Sequence, residues 1–408
     1  MKILFASTVF PHPKDPTRGV YNLALCRALA ALPETDGIKT SVRVVAPRIW
    51  RDAVSQRKAP RAELDTGAIE RLEHPTFLYP PGFGRRRLEM WLRRSADASV
   101  RGITRDWKPD VVLSYWADPD GTAAAKWACK LNARFCLIVG GSDVLLLPDR
   151  PGLEGLIEKT VCGADLVRTV SKGLVARVNE LCPDFAPRMS CVQQGIDTGR
   201  FQKGEQADAR KTLGLGEEPV FIWVGRLDPV KNHGLLLDAF RDALRALPDA
   251  KLLIVGGGPE RRSVEEGIAS RGLAESVRMV GAVPPEELAV WYRAADAAVL
   301  SSRSEGLPNV LRESLACGRP FASVDVGSVR EIGDDTCRVL CENHDPAALA
   351  DAMVRVLGPG YFEAAERLPV RTWRETAREL HADFQRMIDD VPVPKCRKAA
   401  KRRAAVIA

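Results

Sequence analysis

The chain has 408 residues, 45% of them hydrophobic, and a formal net charge of +7. That length exceeds one ordinary core, so two domains of roughly 200 residues each are expected, and no apolar run approaches the ~18 residues of a membrane-spanning helix. Six of the seven net positive charges lie in residues 395–408, which hold Lys395, Arg397, Lys398, Lys401, Arg402 and Arg403 and no acid. The body is therefore nearly neutral, which disfavours a nucleic-acid groove on it. Ten cysteines are scattered without a C-x-x-C pair. Neither a disulfide framework nor a zinc site is indicated, and reduced thiols of a cytoplasmic protein are expected. Met1-Lys2 leads directly into Ile3-Leu4-Phe5-Ala6, so no signal peptide is expected.

In chain order, short apolar runs alternate with helical patterns twice over. Strands are expected at 3–6, 42–46, 111–115, 135–139, 166–170 and 190–193, then at 220–224, 251–255, 277–280, 297–301 and 321–324. Each is short and followed by Gly, Pro or Ser, as parallel strands feeding crossover helices should be. An α/β chain of two doubly wound, Rossmann-like domains follows. Residues 7–19 read as a Pro-rich loop before a helix over 20–32 that starts after Arg18-Gly19. Residues 48–74 read as polar and irregular, with no function assigned. The stretch 84–94, GRRRLEMWLRR, reads either as a basic helix for an anionic bilayer or acceptor, or as a solvated helix packed by its apolar side. Asp120-Gly121 precedes an Ala-rich helix, which predicts Asp120 as its N-cap. Gly256-Gly257-Gly258-Pro259 reads as a tight turn, since Arg261 occupies the place of a dinucleotide fingerprint's third glycine. An amphipathic stretch begins at Thr372-Trp373 and runs through Leu380, Phe384 and Met387.

Residues 301–320, SSRSEGLPNVLRESLACGRP, carry the most chemistry. They read as strand end, loop and short helix: Pro308 suits a first helical turn, and Gly318 with Pro320 suits the stop. Glu305 then stands at the carboxyl end of a strand and Glu313 on the helix. The backbone N–H groups around Leu307 to Asn309 favour an anionic ligand. A loop carboxylate and a helix carboxylate can accept charge-assisted hydrogen bonds from two sets of sugar hydroxyls.

This segment resembles the nucleotide-sugar motif of retaining glycosyltransferases of family 4, which have the GT-B fold. The resemblance covers Glu305, seven residues and Glu313, with Gly306-Leu307-Pro308-Asn309 and Cys317-Gly318-Arg319-Pro320 in place. It extends to Gly225, Arg226 and Lys231, which match the family's diphosphate-binding loop. It extends also to the interdomain stretch Gln194-Gly195-Ile196-Asp197 through Phe201 and to Met279 to Val283, whose Gly281 lies in the segment that contacts the nucleotide base. Family members commonly have two glycines at Arg18-Gly19; only Gly19 matches, and Arg18 reads equally as an added cation or as a solvent-facing side chain. Gly140-Gly141-Ser142-Asp143 is similar to the acceptor-side motif, with Asp143 either binding acceptor hydroxyls or capping a helix. Many members carry a histidine there, and this chain has none between His74 and His233.

The resemblance implies two facing Rossmann-like domains, 1–197 on the acceptor side and 198–370 for the nucleotide sugar. A helix over 371–390 returns to the first domain, and a basic tail over 391–408 is expected to be disordered. It implies a metal-independent, retaining hexosyl transfer from a nucleotide diphosphate sugar, which is substrate rather than cofactor, to a glycan or lipid-linked glycan acceptor. No cofactor, metal or nucleic acid is expected. Glu305 would hold the donor sugar, Glu313 the ribose, and Arg226 and Lys231 the diphosphate. The start of the chain and Gly140 to Asp143 look closest to members that build cell-envelope polysaccharides. Two further readings are an epimerase of the same fold and a silent sugar-nucleotide-binding protein. The tail reads either as a loose anchor to an anionic cytoplasmic membrane surface or as a solvated segment without a role. Asp118-Pro119-Asp120 has the Asp-x-Asp form that binds metal in the other large glycosyltransferase fold, and a cap is the preferred reading here.

Overall fold

The computed structural model describes residues 1–34, 39–80, 87–145, 152–183 and 188–389. The chain divides into two compact units: Met1–Gly195 together with the chain from Trp373, and Ile196–Thr372. Ile196 bridges Thr372, and its N–H donates to the Arg371 carbonyl at 2.8 Å, so both passages of the chain belong to the second unit.

The first unit holds β1 (Lys2–Ala6), β2 (Ser41–Val45), β3 (Arg48–Ile49), β4 (Arg71–Glu73), β5 (Thr76–Phe77), β6 (Val111–Tyr115), β7 (Arg134–Val139), β8 (Leu166–Thr169) and β9 (Met189–Cys191). Seven of these form one sheet in the order β4-β2-β1-β6-β7-β8-β9, all parallel, while β3 and β5 pair separately. Every residue of β6 and β7 is buried, which explains their largely apolar character: both faces are covered. The expectation of an irregular 48–74 is corrected. It contains β3, the helix Trp50–Ser55 and β4, elements too short to show a period in sequence.

The last helix, Trp373–Asp389, packs on the helix Val20–Ala30, as the expected return to the first domain requires. Its anchor is ionic as well as apolar. Arg168 Nε, in β8, donates to Asp383 Oδ2 at 2.6 Å, and both side chains are under a tenth exposed. Thr376 Oγ1 donates to the Gln193 carbonyl at 2.8 Å. Residues 84–86 and 390–408, which include part of the basic stretch and the whole basic tail, lie outside the described residues. Among the described residues no helix is long and apolar enough to cross a membrane.

The second unit holds β10 (Val220–Val224), β11 (Lys251–Val255), β12 (Val277–Gly281), β13 (Ala297–Leu300), β14 (Phe321–Val324) and β15 (Arg338–Cys341), in the parallel order β12-β11-β10-β13-β14-β15. Phe221, Leu236, Phe240, Leu252, Ile254 and Met353 fill the core between this sheet and the helices His233–Ala243 and Pro346–Arg355. The latter helix starts where sequence rules place it: Asp345 accepts the Ala348 N–H at 2.9 Å and Pro346 follows. β15 was not expected, because its run of four begins on an arginine. That arginine is nonetheless buried, and Arg338 Nη1 donates to the carbonyls of Arg330 at 2.9 Å and Ile332 at 2.8 Å.

In each sheet the chain first runs outward on one side of its opening strand and then crosses to the other side. The reversal lies between β1 and β6 in the first unit and between β10 and β13 in the second. Crevices at the carboxyl ends of such strand pairs are where open α/β sheets bind ligands.

Candidate active site

Two loops leave the carboxyl ends of β10 and β13. The first carries Gly225, Arg226 and a 3₁₀ turn Pro229–Lys231, and the helix begins two residues later at His233. The second carries Glu305 to Pro308, with Pro308 at the N-cap rather than in the first turn, and Asn309 opening the helix Asn309–Ala316. Hydrogen bonds lace the two together. Arg303 N–H donates to the Val230 carbonyl at 2.8 Å, and Ser301 Oγ donates to the Lys231 carbonyl at 2.8 Å. Lys231 Nζ then reaches Glu305 Oε1 at 2.7 Å, with both side chains largely shielded from solvent.

Arg226 is turned differently. Its guanidinium is 71% exposed and forks onto Asp228, Nε to Oδ2 at 2.5 Å and Nη2 to Oδ1 at 2.9 Å. The glycine-rich turn supports this loop from beneath. Leu227 N–H donates to the Gly257 carbonyl and Glu260 N–H to the Leu227 carbonyl, each at 3.0 Å. A Cβ on Gly256 would lie 1.8 Å from the Gly225 carbonyl oxygen, so the turn is glycine for close approach, with no fingerprint function. Gly256 N–H donates to the Gly281 carbonyl at 2.8 Å, which brings the β12 loop to the same end of the sheet. His233, beyond Lys231, is buried against Trp223, and its Nδ1 lies 3.1 Å from Glu260 Oε2.

Glu313 stands on the second helical turn and accepts from Tyr292 Oη at 3.0 Å. Burial pushes its carboxyl up to about 7, against the opposing pull of the Tyr292 hydrogen bond and the Arg312 and Arg200 charges. Burial likewise lowers Arg312 to about 10. Glu305 is held in place from behind as well. Gly327 adopts φ +59°, and a Cβ there would meet the Glu305 carbonyl oxygen at 1.8 Å, while Ser328 N–H donates to the Gly306 carbonyl at 3.2 Å. Leu307 is buried beside them.

Gly19 and Asp143 belong to the first unit. Gly19 is the N-cap of Val20–Ala30 at φ +69°, and a Cβ there would stand 2.5 Å from the Val9 carbonyl oxygen. Arg18 pairs with Asp52 at 2.7 Å. Asp143 is buried and accepts from Gly141 N–H at 2.8 Å and Ala117 N–H at 3.1 Å, with its carboxyl raised by burial. Gly140 is glycine because a Cβ would lie 2.5 Å from Tyr115 Oη. The N-cap expected at Asp120 is corrected. Asp120 is buried and accepts from Thr8 N–H at 3.1 Å, Thr8 Oγ1 at 3.0 Å and Ser7 Oγ at 3.3 Å, while Gly121 caps the helix without a side-chain bond. It ties the β1 and β6 loops across the reversal point, and burial raises it to about 7. Sequence reasoning also missed Tyr292 and Gly327, whose roles depend on partners 21 and 22 residues away.

Three kinds of comparison bear on this geometry. Residues 218–358 match the family model "Glycosyl transferases group 1". The D-inositol 3-phosphate glycosyltransferase of Geodermatophilus obscurus is 32% identical over 338 residues, 77% of this chain and 74% of that protein. The putative teichuronic acid biosynthesis glycosyltransferase TuaC of Bacillus subtilis is 28% identical over 366 residues, 87% of this chain and 89% of that protein. The solved structure of HepE from Anabaena in complex with UDP and glucose superposes with a TM-score of 0.65 at 15% identity, covering 100% of both chains, which is a likeness of fold. With its two Rossmann-like units and the Glu305–Lys231 loops at the switch point of the second, the chain belongs to the glycosyl transferases group 1 family and is a glycosyltransferase.

Proposed function

We propose that the chain moves a hexosyl group from a nucleotide diphosphate sugar to a hydroxyl of a glycan or lipid-linked glycan, with retention at the anomeric carbon and without a metal ion. The contact between Lys231 and Glu305 carries this reading, because it sets a cation and a carboxylate side by side at the reversal point. When the bond from the anomeric carbon to the diphosphate oxygen breaks, negative charge grows on the diphosphate. Lys231 and Arg226 stabilise that charge more in the transition state than in the ground state. The acceptor hydroxyl attacks from the face the diphosphate leaves, and its proton passes to the departing diphosphate oxygen. Glu305 orients the donor sugar and Glu313 the ribose. The likeness to HepE, solved with UDP and glucose, supports a nucleotide donor, and the relation to TuaC supports a cell-envelope polysaccharide as product.

The test is a transfer assay over a panel of nucleotide sugars with glycan acceptors, run with chelator and followed by proton NMR of the first-formed linkage. The expected result is chelator-resistant transfer with the donor's anomeric configuration kept. Inversion, or loss of activity restored by a divalent ion, overturns the mechanism. Isomerised donor without transfer favours an epimerase. The reading extends to place: the six cations of residues 395–408 hold the enzyme loosely at an anionic cytoplasmic membrane surface. Deleting them should reduce salt-sensitive vesicle binding and leave transfer to soluble acceptors intact; equal vesicle binding after deletion refutes the anchor.

A further inference from the structure

Residues 225–232 join β10 to the helix His233–Ala243 and carry both cations assigned above to the diphosphate, Arg226 near one end and Lys231 near the other. The loop's own bonds are local. Asp228 N–H donates to the Arg226 carbonyl at 2.8 Å, and Lys231 N–H to the Asp228 carbonyl at 3.0 Å. Asn232, where the loop meets the helix, has a left-handed φ of +53°. A non-glycine residue keeps that conformation only where its surroundings hold it.

Part of what holds it reaches over from the neighbouring strand. The turn after β11 lies flush on the loop: a Cβ on Gly258 would stand 2.5 Å from the Leu227 carbonyl oxygen. Glu260 leaves that turn with two bonds to the next connection. Its backbone N–H donates to the Leu227 carbonyl at 3.0 Å, beside Arg226. Its Oε2 lies 3.1 Å from Nδ1 of His233, two residues beyond Lys231. A carboxylate only accepts, so the imidazole proton sits on Nδ1 and is donated to Glu260. Burial lowers the pKa of His233 below its usual 6.5 against the pull of Glu260 and Asp228, so at neutral pH the ring is uncharged. The His233 side chain is 4% exposed, and its ring stands 4.8 Å from that of Trp223 in β10. It is thus wedged between the sheet and Glu260.

We propose that Glu260 is a positioning residue for Lys231: through His233 it fixes where the helix begins, and so where the lysine two residues earlier stands. The proposal rests on the diphosphate reading above. The two bonds of Glu260 separate its effects. The backbone bond to Leu227 survives any change of side chain, whereas the bond to His233 is lost with the carboxylate. Removing the side chain therefore loosens the Lys231 end of the loop and leaves the Arg226 end in place.

The test is calorimetric titration of the full chain with inorganic pyrophosphate, which reports on the loop whatever nucleotide the enzyme uses. Glu260→Ala should weaken binding at least about fivefold, and Glu260→Gln, whose amide oxygen still accepts from Nδ1–H, should stay within about twofold of the wild type. In a Lys231→Met background, Glu260→Ala should change the affinity by less than about twofold, because the group it positions is gone. A side chain that served only the stability of the fold would weaken both backgrounds alike. Equal weakening in the two backgrounds, no weakening in the wild type, or a glutamine variant no better than alanine overturns the proposal. Pyrophosphate binding that Lys231→Met leaves unchanged, or no binding up to about 10 mM, overturns the diphosphate reading itself and the role of Glu260 with it.

Discussion

Lys231 Nζ lies 2.7 Å from Glu305 Oε1, joining the loops that follow two neighbouring strands, β10 and β13. In the proposed function this ion pair pre-forms the donor site: each partner is held ready by the other, and a diphosphate sugar would divide them between its two ends. Lys231→Met should lower kcat by about 10²–10³, the size seen when one preorganised transition-state donor is removed. Glu305→Gln keeps the shape and loses the charge, so it should lower kcat more than it raises the donor dissociation constant. Rate measurements with isothermal titration on the folded variants check both. Unchanged rate and affinity in the two variants would contradict the assignment.

If Glu313 holds the donor's ribose as proposed, donor affinity should depend on pH. The Glu313 carboxyl is raised to about 7 by burial, from 4.5, so the folded protein without donor favours the protonated form. Its contribution to stability is therefore present below pH 4.5 and is lost as pH rises through about 7. A ribose gripped by two hydroxyls needs the carboxylate, so donor affinity should rise between pH 6 and 8 and level off above. Tyr292→Phe removes a hydrogen bond that favours the ionised form, and the midpoint should move to higher pH. Glu313→Gln should flatten the profile. Titration calorimetry across that range decides it.

Gly327 tests how tightly Glu305 must be placed. Alanine there faces both φ +59° and a contact of 1.8 Å with the Glu305 carbonyl oxygen, a backbone atom that cannot step aside without moving the loop. Gly327→Ala should cost ~1–2 kcal/mol from the left-handed backbone alone and cut kcat at least tenfold through the displaced carboxylate. A variant with wild-type kcat at reduced melting temperature would show that the loop tolerates the shift.

Arg168 and Asp383 form a buried pair between β8 and the last helix. Arg168→Met leaves Asp383 with Arg386 as its remaining cation, at 2.5 Å. The change should destabilise the first unit by about 3–5 kcal/mol, the usual cost of breaking a buried pair from one side. Asp383→Asn with Arg168→Met should recover part of that loss. Denaturant melts of the two variants and of the double variant measure it.

The strands were legible because most carry a short apolar run that the fold covers, as residues 135–139 within Arg134–Val139 illustrate. The short elements of 48–77 were not, since two or three residues carry no period. Arg338–Cys341 was hidden by an arginine whose partners are four nearby carbonyls and the Asp335 carboxylate. At the site, Glu305, Glu313, Arg226 and Lys231 stood out as a spaced motif. Tyr292, Gly327 and Asp120 did not, because their meaning lies in atoms brought close only by folding. Asp120 next to a helix start looked like a cap; its hydroxyl and N–H donors come from Ser7 and Thr8, over a hundred residues earlier.

The return of Trp373–Asp389 to the first unit has a consequence for how the chain is made. Residues 196–372 form a contiguous insert that is complete as soon as it leaves the ribosome, whereas the unit begun at β1 waits for the last helix to be synthesised. Until then Leu380 and Phe384 are missing from its core and Arg168 lacks its partner Asp383. The half that begins first is thus finished last, and a nascent chain stopped near residue 372 should present a folded insert behind an uncompleted amino-terminal sheet, open to proteases at the face the last helix covers.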